Sequence, residues 1–153
     1  MANPRPPDHA DTLEVRDRCL CLHAQRAARA LARRFDLAFR PLGLTNGQFS
    51  LLMALNRPEP PRMGDVANLL AMDRTTLTAA LKPLERRGLL AVEPDDSDRR
   101  ARRLRLTQEG RMLLGEALPI WREEHASLDA QVDAPGLVAT LMAVTAAADR
   151  GED

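Results

Sequence analysis

Residues 73–92 read Asp73-Arg74-Thr75-Thr76-Leu77-Thr78-Ala79-Ala80-Leu81-Lys82-Pro83-Leu84-Glu85-Arg86-Arg87-Gly88-Leu89-Leu90-Ala91-Val92, and the period of the apolar positions changes within them. Leu77, Ala80, Leu81 and Leu84 stand at i, i+3, i+4 and i+7, the stripe of an amphipathic helix. Asp73 is a good N-cap for that helix and Gly88 a good terminator. Beyond Gly88 the period falls to about two: Leu90 and Val92, then Leu104 and Leu106, alternate with polar residues. Between these runs lies Pro94-Asp95-Asp96-Ser97-Asp98-Arg99-Arg100, a turn-rich, charged segment. The stretch therefore predicts a helix followed by a two-stranded hairpin.

Upstream, Ala71-Met72 forms a tight turn after a short helix over 64–70, whose Val66, Leu69 and Leu70 share a face. Thr45-Asn46-Gly47-Gln48 has the form of a capping box and opens another buried helix, Phe49 to Leu55, which Pro58, Pro60 and Pro61 end. Two short helices joined by a tight turn and followed by a hairpin are the element order of a winged helix-turn-helix. The predicted fold class is mainly α with a small β-hairpin wing and helices at both ends.

In that arrangement the helix from Arg74 is the one that enters the major groove. Its outer face carries Thr75, Thr78, Ala79, Lys82 and Arg86. Short hydroxyls and an alanine make it slim enough to approach base edges, and Lys and Arg can read guanine or clamp phosphate. Thr75, Thr78 and Lys82 are the expected base readers, with Arg86 on the same face. Arg74 and Thr76 are expected at phosphate near the helix N-terminus. At the hairpin, Arg99, Arg100, Arg102 and Arg103 surround the turn, and an arginine on a protruding wing suits the negative potential of a narrow minor groove. Asp98 is expected to pair bidentately with a neighbouring arginine and aim it. A solvated amphipathic helix and a solvated charged turn are the plainer readings of each feature, and they lose weight because the two occur together.

The 153-residue chain is formally neutral, which hides an asymmetry. Residues 74–106 hold nine basic against five acidic side chains, and residues 107–153 three against nine. Only the face that touches phosphate has to be positive. Hydrophobic residues make up 44%, enough for a core, but aromatics only 3%, so Leu, Ala, Val and Met must build it. No run of about 18 apolar residues marks a membrane span. The N-terminus lacks an apolar signal stretch, and a cytoplasmic location with no membrane partner is expected.

Residues 1–11 are expected to be disordered. From Leu13 to Arg40 a helical pattern runs without Pro or Gly, with Leu20, Ala24, Ala27, Leu31, Phe35, Ala38 and Leu42 on one stripe. That is more apolar length than a small domain can cover, so residues 12–42 are expected to form a dimerisation helix. Residues 43–110 form the DNA-binding lobe. Residues 111–153 are expected to supply the C-terminal helices, the first capped by Thr107, interrupted at Gly110 and Gly115 and bent at Pro119, the second opened by Pro135.

The run Val66-Ala67-Asn68-Leu69-Leu70 through Leu84-Glu85-Arg86-Arg87-Gly88-Leu89, with Asp98-Arg99-Arg100 and Leu106-Thr107-Gln108-Glu109-Gly110, resembles the MarR family of bacterial regulators. The resemblance covers about Leu13 to Ala147. It implies a homodimer with intertwined terminal helices whose two winged lobes read a pseudo-palindromic operator in double-stranded DNA. By the same resemblance the helices of residues 111–153 are C-terminal dimerisation helices. It also implies that Arg100 is the minor-groove residue and that a small effector, often aromatic, or a thioester of such an acid, releases a repressor. Recognition helices about one DNA turn apart, roughly 34–36 Å, would follow from the symmetry.

Cys19-Leu20-Cys21-Leu22-His23 has metal-like spacing, but on one straight helix Cys21 points about 200° from Cys19, so no metal site is expected. A hydroperoxide-sensing branch of the same family carries a reactive cysteine near the start of its first helix, and Cys19 falls close to that position. This chain has no tyrosine to hold such a thiol, and packing as small hydrophobes is the plainer reading of both cysteines. His23, Arg26 and Trp121 are candidate effector contacts: a polar handle, a carboxylate clamp and an aromatic wall. His9, His23 and His125 are scattered and no Gly-rich phosphate loop occurs, so neither catalysis nor a cofactor is expected. A winged-helix protein-interaction module would share the fold but lack the basic outer face.

Overall fold

Side-chain caps set the starts of most helices. In the computed structural model, which describes residues 5–149, Asp8 caps α1 (His9–Arg18), Cys19 α2 (Leu20–Phe39), Thr45 α3 (Asn46–Leu55), Asp73 α5 (Arg74–Arg86) and Thr107 α6 (Gln108–Asp129). A 3-10 turn, Arg40–Leu42, follows α2; α4 spans Met63–Leu69 and α7 Ala134–Asp149. Between α5 and α6, β1 (Leu90–Pro94) pairs antiparallel with β2 (Arg102–Leu106), Leu90 opposite Leu106 and Val92 opposite Leu104. The Thr45 capping box is present as expected: the Thr45 hydroxyl accepts from the Gln48 N–H, and the Gln48 side-chain carbonyl accepts from the Thr45 N–H.

Three expectations are corrected. The helix predicted across Leu13 to Arg40 breaks at Cys19, whose extended backbone ends α1 and begins α2. Residues 8–11 are not disordered, because Asp8 and Asp11 form a reciprocal capping box that starts a helix within a Pro-rich composition. Residues 1–4 of that expected disordered segment, and 150–153 of the expected C-terminal dimerisation segment, lie outside the described residues. α6 runs through Gly110, Gly115 and Pro119 without interruption.

The core joins Phe35 and Phe39 of α2, Phe49, Leu52 and Leu55 of α3, Val66 of α4, Leu77, Leu81 and Leu84 of α5, Leu104 and Leu106 of β2, and Leu114 and Ala117 of α6. The Phe39 and Phe49 rings stack with centroids 4.7 Å apart. The sparse aromatics are thus concentrated where the N-terminal helix meets the lobe. Away from this centre the apolar stripe stands uncovered in the single chain. Leu20 is 72% exposed, and no residue of α7 is buried although Leu137, Leu141 and Val144 line up along it. No single described helix is long and apolar enough to cross a membrane.

Candidate nucleic-acid interface

The turn that sets α5 against α4 is tight enough to force Ala71 to a φ of 50°, the left-handed region. Asp73 then closes the first turn of α5, accepting from the Thr76 N–H at 2.8 Å and the Thr76 hydroxyl at 2.6 Å. Those two bonds, the hydroxyl's first, hold the Asp73 carboxyl below the usual carboxylate range. Leu77, Leu81 and Leu84 are buried, so Thr75, Thr78, Ala79, Lys82 and Arg86 face outward, as their helix phase predicts. The hydroxyl of Thr76 is committed to Asp73. That of Thr78 donates back to the Arg74 carbonyl at 2.7 Å, which leaves its methyl as the outward contact surface.

The wing is built around a carboxylate that local spacing does not single out. Asp95 is the one buried polar or charged side chain among the described residues. One of its oxygens accepts from the Ser97 hydroxyl at 2.6 Å, the Ser97 N–H at 2.9 Å and the Asp98 N–H at 3.0 Å. The other accepts from Arg103 Nε at 2.7 Å and Arg62 Nε at 3.1 Å. The Ser97 hydroxyl first, then the Ser97 N–H, the Arg62 guanidinium and the Asp98 N–H, hold this carboxyl far below its ordinary range against the opposing effect of burial. The expected pairing of Asp98 with an arginine side chain is corrected: among the described residues its carboxylate accepts the backbone N–H of Arg100 at 2.9 Å and shapes the turn. The sequence reading missed Asp95 and Arg62. The only local signal was the Asp95-x-Ser97 pattern of an Asx turn.

A cleft of about 260 Å³ opens between the starts of α4 and α5 and the wing, lined by Arg62, Arg74, Arg100 and Arg102 with Asp65 and Asp98. Arg74, Arg100, Arg102 and Asp98 are therefore brought together, while Arg99 stands exposed at the tip. Arg74, Lys82, Arg86, Arg99 and Arg100 take no part in the ion pairs of the described residues, which engage Arg62, Arg103 and Arg105 on this side of the lobe. A concave surface with unpaired guanidinium groups beside a slim hydroxyl-bearing helix face suits a nucleic-acid backbone with base edges beside it.

The expected effector residues separate. Trp121 lines an apolar cavity of about 440 Å³ with Phe49, Met53, Leu70 and Leu118, and Ser50 adds a hydroxyl. Its ring lies 4.1 Å from that of His125, which lies 5.1 Å from Phe35. His23 and Arg26 do not line this cavity: the His23 ring hydrogen-bonds the Arg16 carbonyl at 2.9 Å, and Arg26 is exposed on α2. The break at Cys19 alters the phase argued for Cys19 and Cys21, and no cluster suited to a metal ion occurs among the described residues. The Cys19 sulfur accepts the Leu22 N–H at 3.4 Å, and exposed Cys21 accepts from Gln25 at 3.0 Å.

Fold and surface together define a winged helix-turn-helix protein. A MarR family profile matches residues 42–101. The structure is similar to that of the transcriptional regulator MosR of M. tuberculosis in complex with DNA, with a TM-score of 0.82 and 37% identity over 88% of this chain and 99% of that one. The chain belongs to the MarR family. It is also similar to CouR from Rhodococcus jostii bound to p-coumaroyl-CoA, with a TM-score of 0.68 and 25% identity over 84% and 90% of the two chains. Among curated relatives, the transcriptional activatory protein BadR of Rhodopseudomonas palustris is 42% identical over 72 residues, 45% of this chain and 41% of BadR. The chain thus spans less than half of BadR's length.

Proposed function

We propose that this chain is a ligand-responsive transcription regulator, a cytoplasmic repressor that reads a pseudo-palindromic operator as a homodimer. The observation that carries the reading is the outer face of α5 beside the arginine-lined cleft under the wing. Thr75, Lys82 and the Thr78 methyl meet base edges, with Arg86 farther along the face. Arg74 and Arg102 meet phosphate, Arg100 enters the minor groove, and Arg99 extends the wing contact. Asp98 acts through the turn that presents Arg100, and Thr76 through the helix cap. The uncovered faces of α2 and α7 supply the dimer contact. No step here is catalytic, in keeping with relatives that are regulators. Fluorescence titration against duplexes from the DNA flanking its own gene tests this. A preferred site with a palindromic footprint supports the reading, and equal, salt-sensitive binding to every sequence overturns it.

The effector reading rests on the Trp121 cavity. CouR binds an aromatic thioester, and this cavity has the size and apolar lining for an aromatic ring. No charged side chain lines it, so a neutral aromatic group is the part that enters. A thermal-shift screen of phenols, aromatic acids and their thioesters checks this; stabilisation retained in Trp121→Ala would place the ligand elsewhere.

A second reading is favoured by the position of Cys19 at the junction of α1 and α2. A hydroperoxide would oxidise the Cys19 thiol to a sulfenic acid and be reduced to the alcohol, removing the sulfur that caps Leu22. Loss of DNA binding on peroxide treatment, reversed by dithiol and absent in Cys19→Ser, would establish it. Unchanged binding after complete oxidation would end it.

A further inference from the structure

Arg62 occupies the N-cap of α4, yet its side chain makes no capping bond. Arginine is a poor choice for that position, where Ser, Thr, Asp or Asn would satisfy the free N–H groups. Its guanidinium turns instead to the wing. Arg62 Nε donates to one Asp95 oxygen at 3.1 Å, and Nη2 reaches the other at 3.5 Å and the Ser97 hydroxyl at 3.1 Å. The same short segment holds β2 from the other side: the Leu104 N–H donates to the Pro61 carbonyl at 2.9 Å, and Arg103 Nη1 to the Pro60 carbonyl at 2.7 Å.

From Asp95 the bonds continue to the wing tip. Asp95 accepts the Asp98 N–H, Asp98 accepts the Arg100 N–H, and the Ala101 N–H donates to the Asp98 carbonyl at 2.9 Å. In the other direction α4 leads through Ala71 into α5. The wing arginine and the outer face of α5 are thus referenced to one short segment, residues 60–62, in which Arg62 supplies the side chain and Arg103 of β2 donates to the same Asp95 oxygen at 2.7 Å.

We propose that Arg62 is a positioning residue for DNA recognition: by clamping buried Asp95 it fixes Arg100 relative to the α5 face, so that both grooves are met in one register. This rests on the DNA-binding reading above. The competing role for Arg62, a phosphate contact of its own, follows from its place in the same cleft, and the two roles predict different data.

The test compares Arg62→Ala, Arg62→Lys, Asp95→Asn and the Arg62→Ala/Asp95→Asn pair in two measurements. In operator titrations, positioning predicts that Arg62→Ala and Asp95→Asn each weaken specific binding about tenfold. Each leaves non-specific duplex binding within twofold and the salt dependence unchanged. The double variant should be no worse than either single one. Arg62→Lys should not rescue, because a lysine cannot span both carboxylate oxygens. Additive losses, rescue by lysine, and a salt slope reduced by about one would assign Arg62 to phosphate and overturn the proposal.

Amide exchange on the free protein decides independently of any operator. Arg62→Ala should speed exchange at Ser97, Asp98 and Ala101 while the Leu90–Leu106 end of the hairpin keeps its protection. Unchanged exchange at the wing overturns the proposal even where operator binding falls. If the wild-type chain shows no operator preference, the regulatory reading fails while the exchange result still decides whether the clamp exists. A single cooperative melting transition in Arg62→Ala and in Asp95→Asn, whatever its midpoint, confirms that the comparison concerns folded protein.

Discussion

The Thr107 hydroxyl donates to the Gly88 carbonyl at 2.6 Å, joining the start of α6 to the end of α5 across the base of the hairpin. The Thr107 N–H donates to the neighbouring Leu89 carbonyl at 3.1 Å, and the same hydroxyl accepts the Gly110 N–H at 3.0 Å. One threonine therefore caps α6 and fastens it to the residues where the recognition helix ends. This gives the spacing of Leu106-Thr107-x-x-Gly110 its physical content.

Gly110 is small because the Leu89 carbonyl and the Leu106 side chain occupy the space a Cβ would need. Gly110→Ala should destabilise the fold by about 1–3 kcal/mol through overpacking, despite alanine's better helix propensity. Gly115 lies in the same helix with nothing within 4 Å of such a Cβ, and Gly115→Ala should stabilise by up to about 1 kcal/mol. Urea denaturation of the pair checks both signs together.

Ala71 carries a φ of 50° in the turn between α4 and α5. The left-handed conformation costs a residue with a Cβ roughly 1–2 kcal/mol, whereas glycine loses about 0.4–1 kcal/mol more entropy on folding. Ala71→Gly should therefore be neutral to stabilising by about 1 kcal/mol, measured as a raised denaturation midpoint. A clear destabilisation would show that the turn draws on the alanine methyl.

Asp73 caps α5 with its carboxyl held low by the Thr76 hydroxyl and N–H. A carboxylate lowered in the folded state adds stability above its unfolded value of about 3.9, and that contribution is lost as pH falls through the lower folded value. Asp73→Asn keeps a good cap without the titrating group. Its melting temperature should match wild type near pH 7 and decline less steeply below pH 4, whereas Asp73→Ala should melt a few degrees lower at neutral pH.

The recognition helix and the wing were legible in the sequence because both depend on local periodicity. Leu77, Leu81 and Leu84 can face the core only by turning Thr75, Lys82 and Arg86 outward. The Cys19 break was not legible, because no Pro or Gly marks it and the surrounding alanines, leucines and arginines all favour helix. The Asp8-x-x-Asp11 box was masked by the prolines beside it. Asp95 escaped for a different reason. Its partner Arg62 lies 33 positions away, and the Asp95-x-Ser97 pattern marks an Asx turn without telling that its aspartate will be buried. Trp121, His23 and Arg26 could not be assigned to one cavity by helix phase, since that depends on how α2 and α6 pack.

α7 exposes Leu137, Val138, Leu141 and Met142, with Leu141 44% accessible in the single chain. An uncovered apolar helix face of this kind needs a partner, and the proposed homodimer provides one. Leu141→Glu should shift the chain toward monomer in sedimentation velocity while the lobe keeps its melting cooperativity. A dimer that survives would move the contact to α2 and its exposed Leu20.

Arg100 and Arg122 separate position from charge. Arg100 lies in the cleft between the wing and the helix starts and takes no part in the ion pairs of the described residues, while Arg122 is exposed on α6 in the acidic half of the chain. Each substitution by alanine removes one positive charge. If binding depended on net charge, the two variants would weaken it equally. If the wing arginine enters the minor groove, Arg100→Ala should weaken operator binding by about 1–3 kcal/mol, roughly five- to 150-fold, and Arg122→Ala by less than twofold. Raising the salt from 50 to 200 mM should narrow the difference only in part, because groove contact persists where long-range attraction is screened. Equal losses in the two variants would remove the wing from recognition and leave α5 as the sole reader.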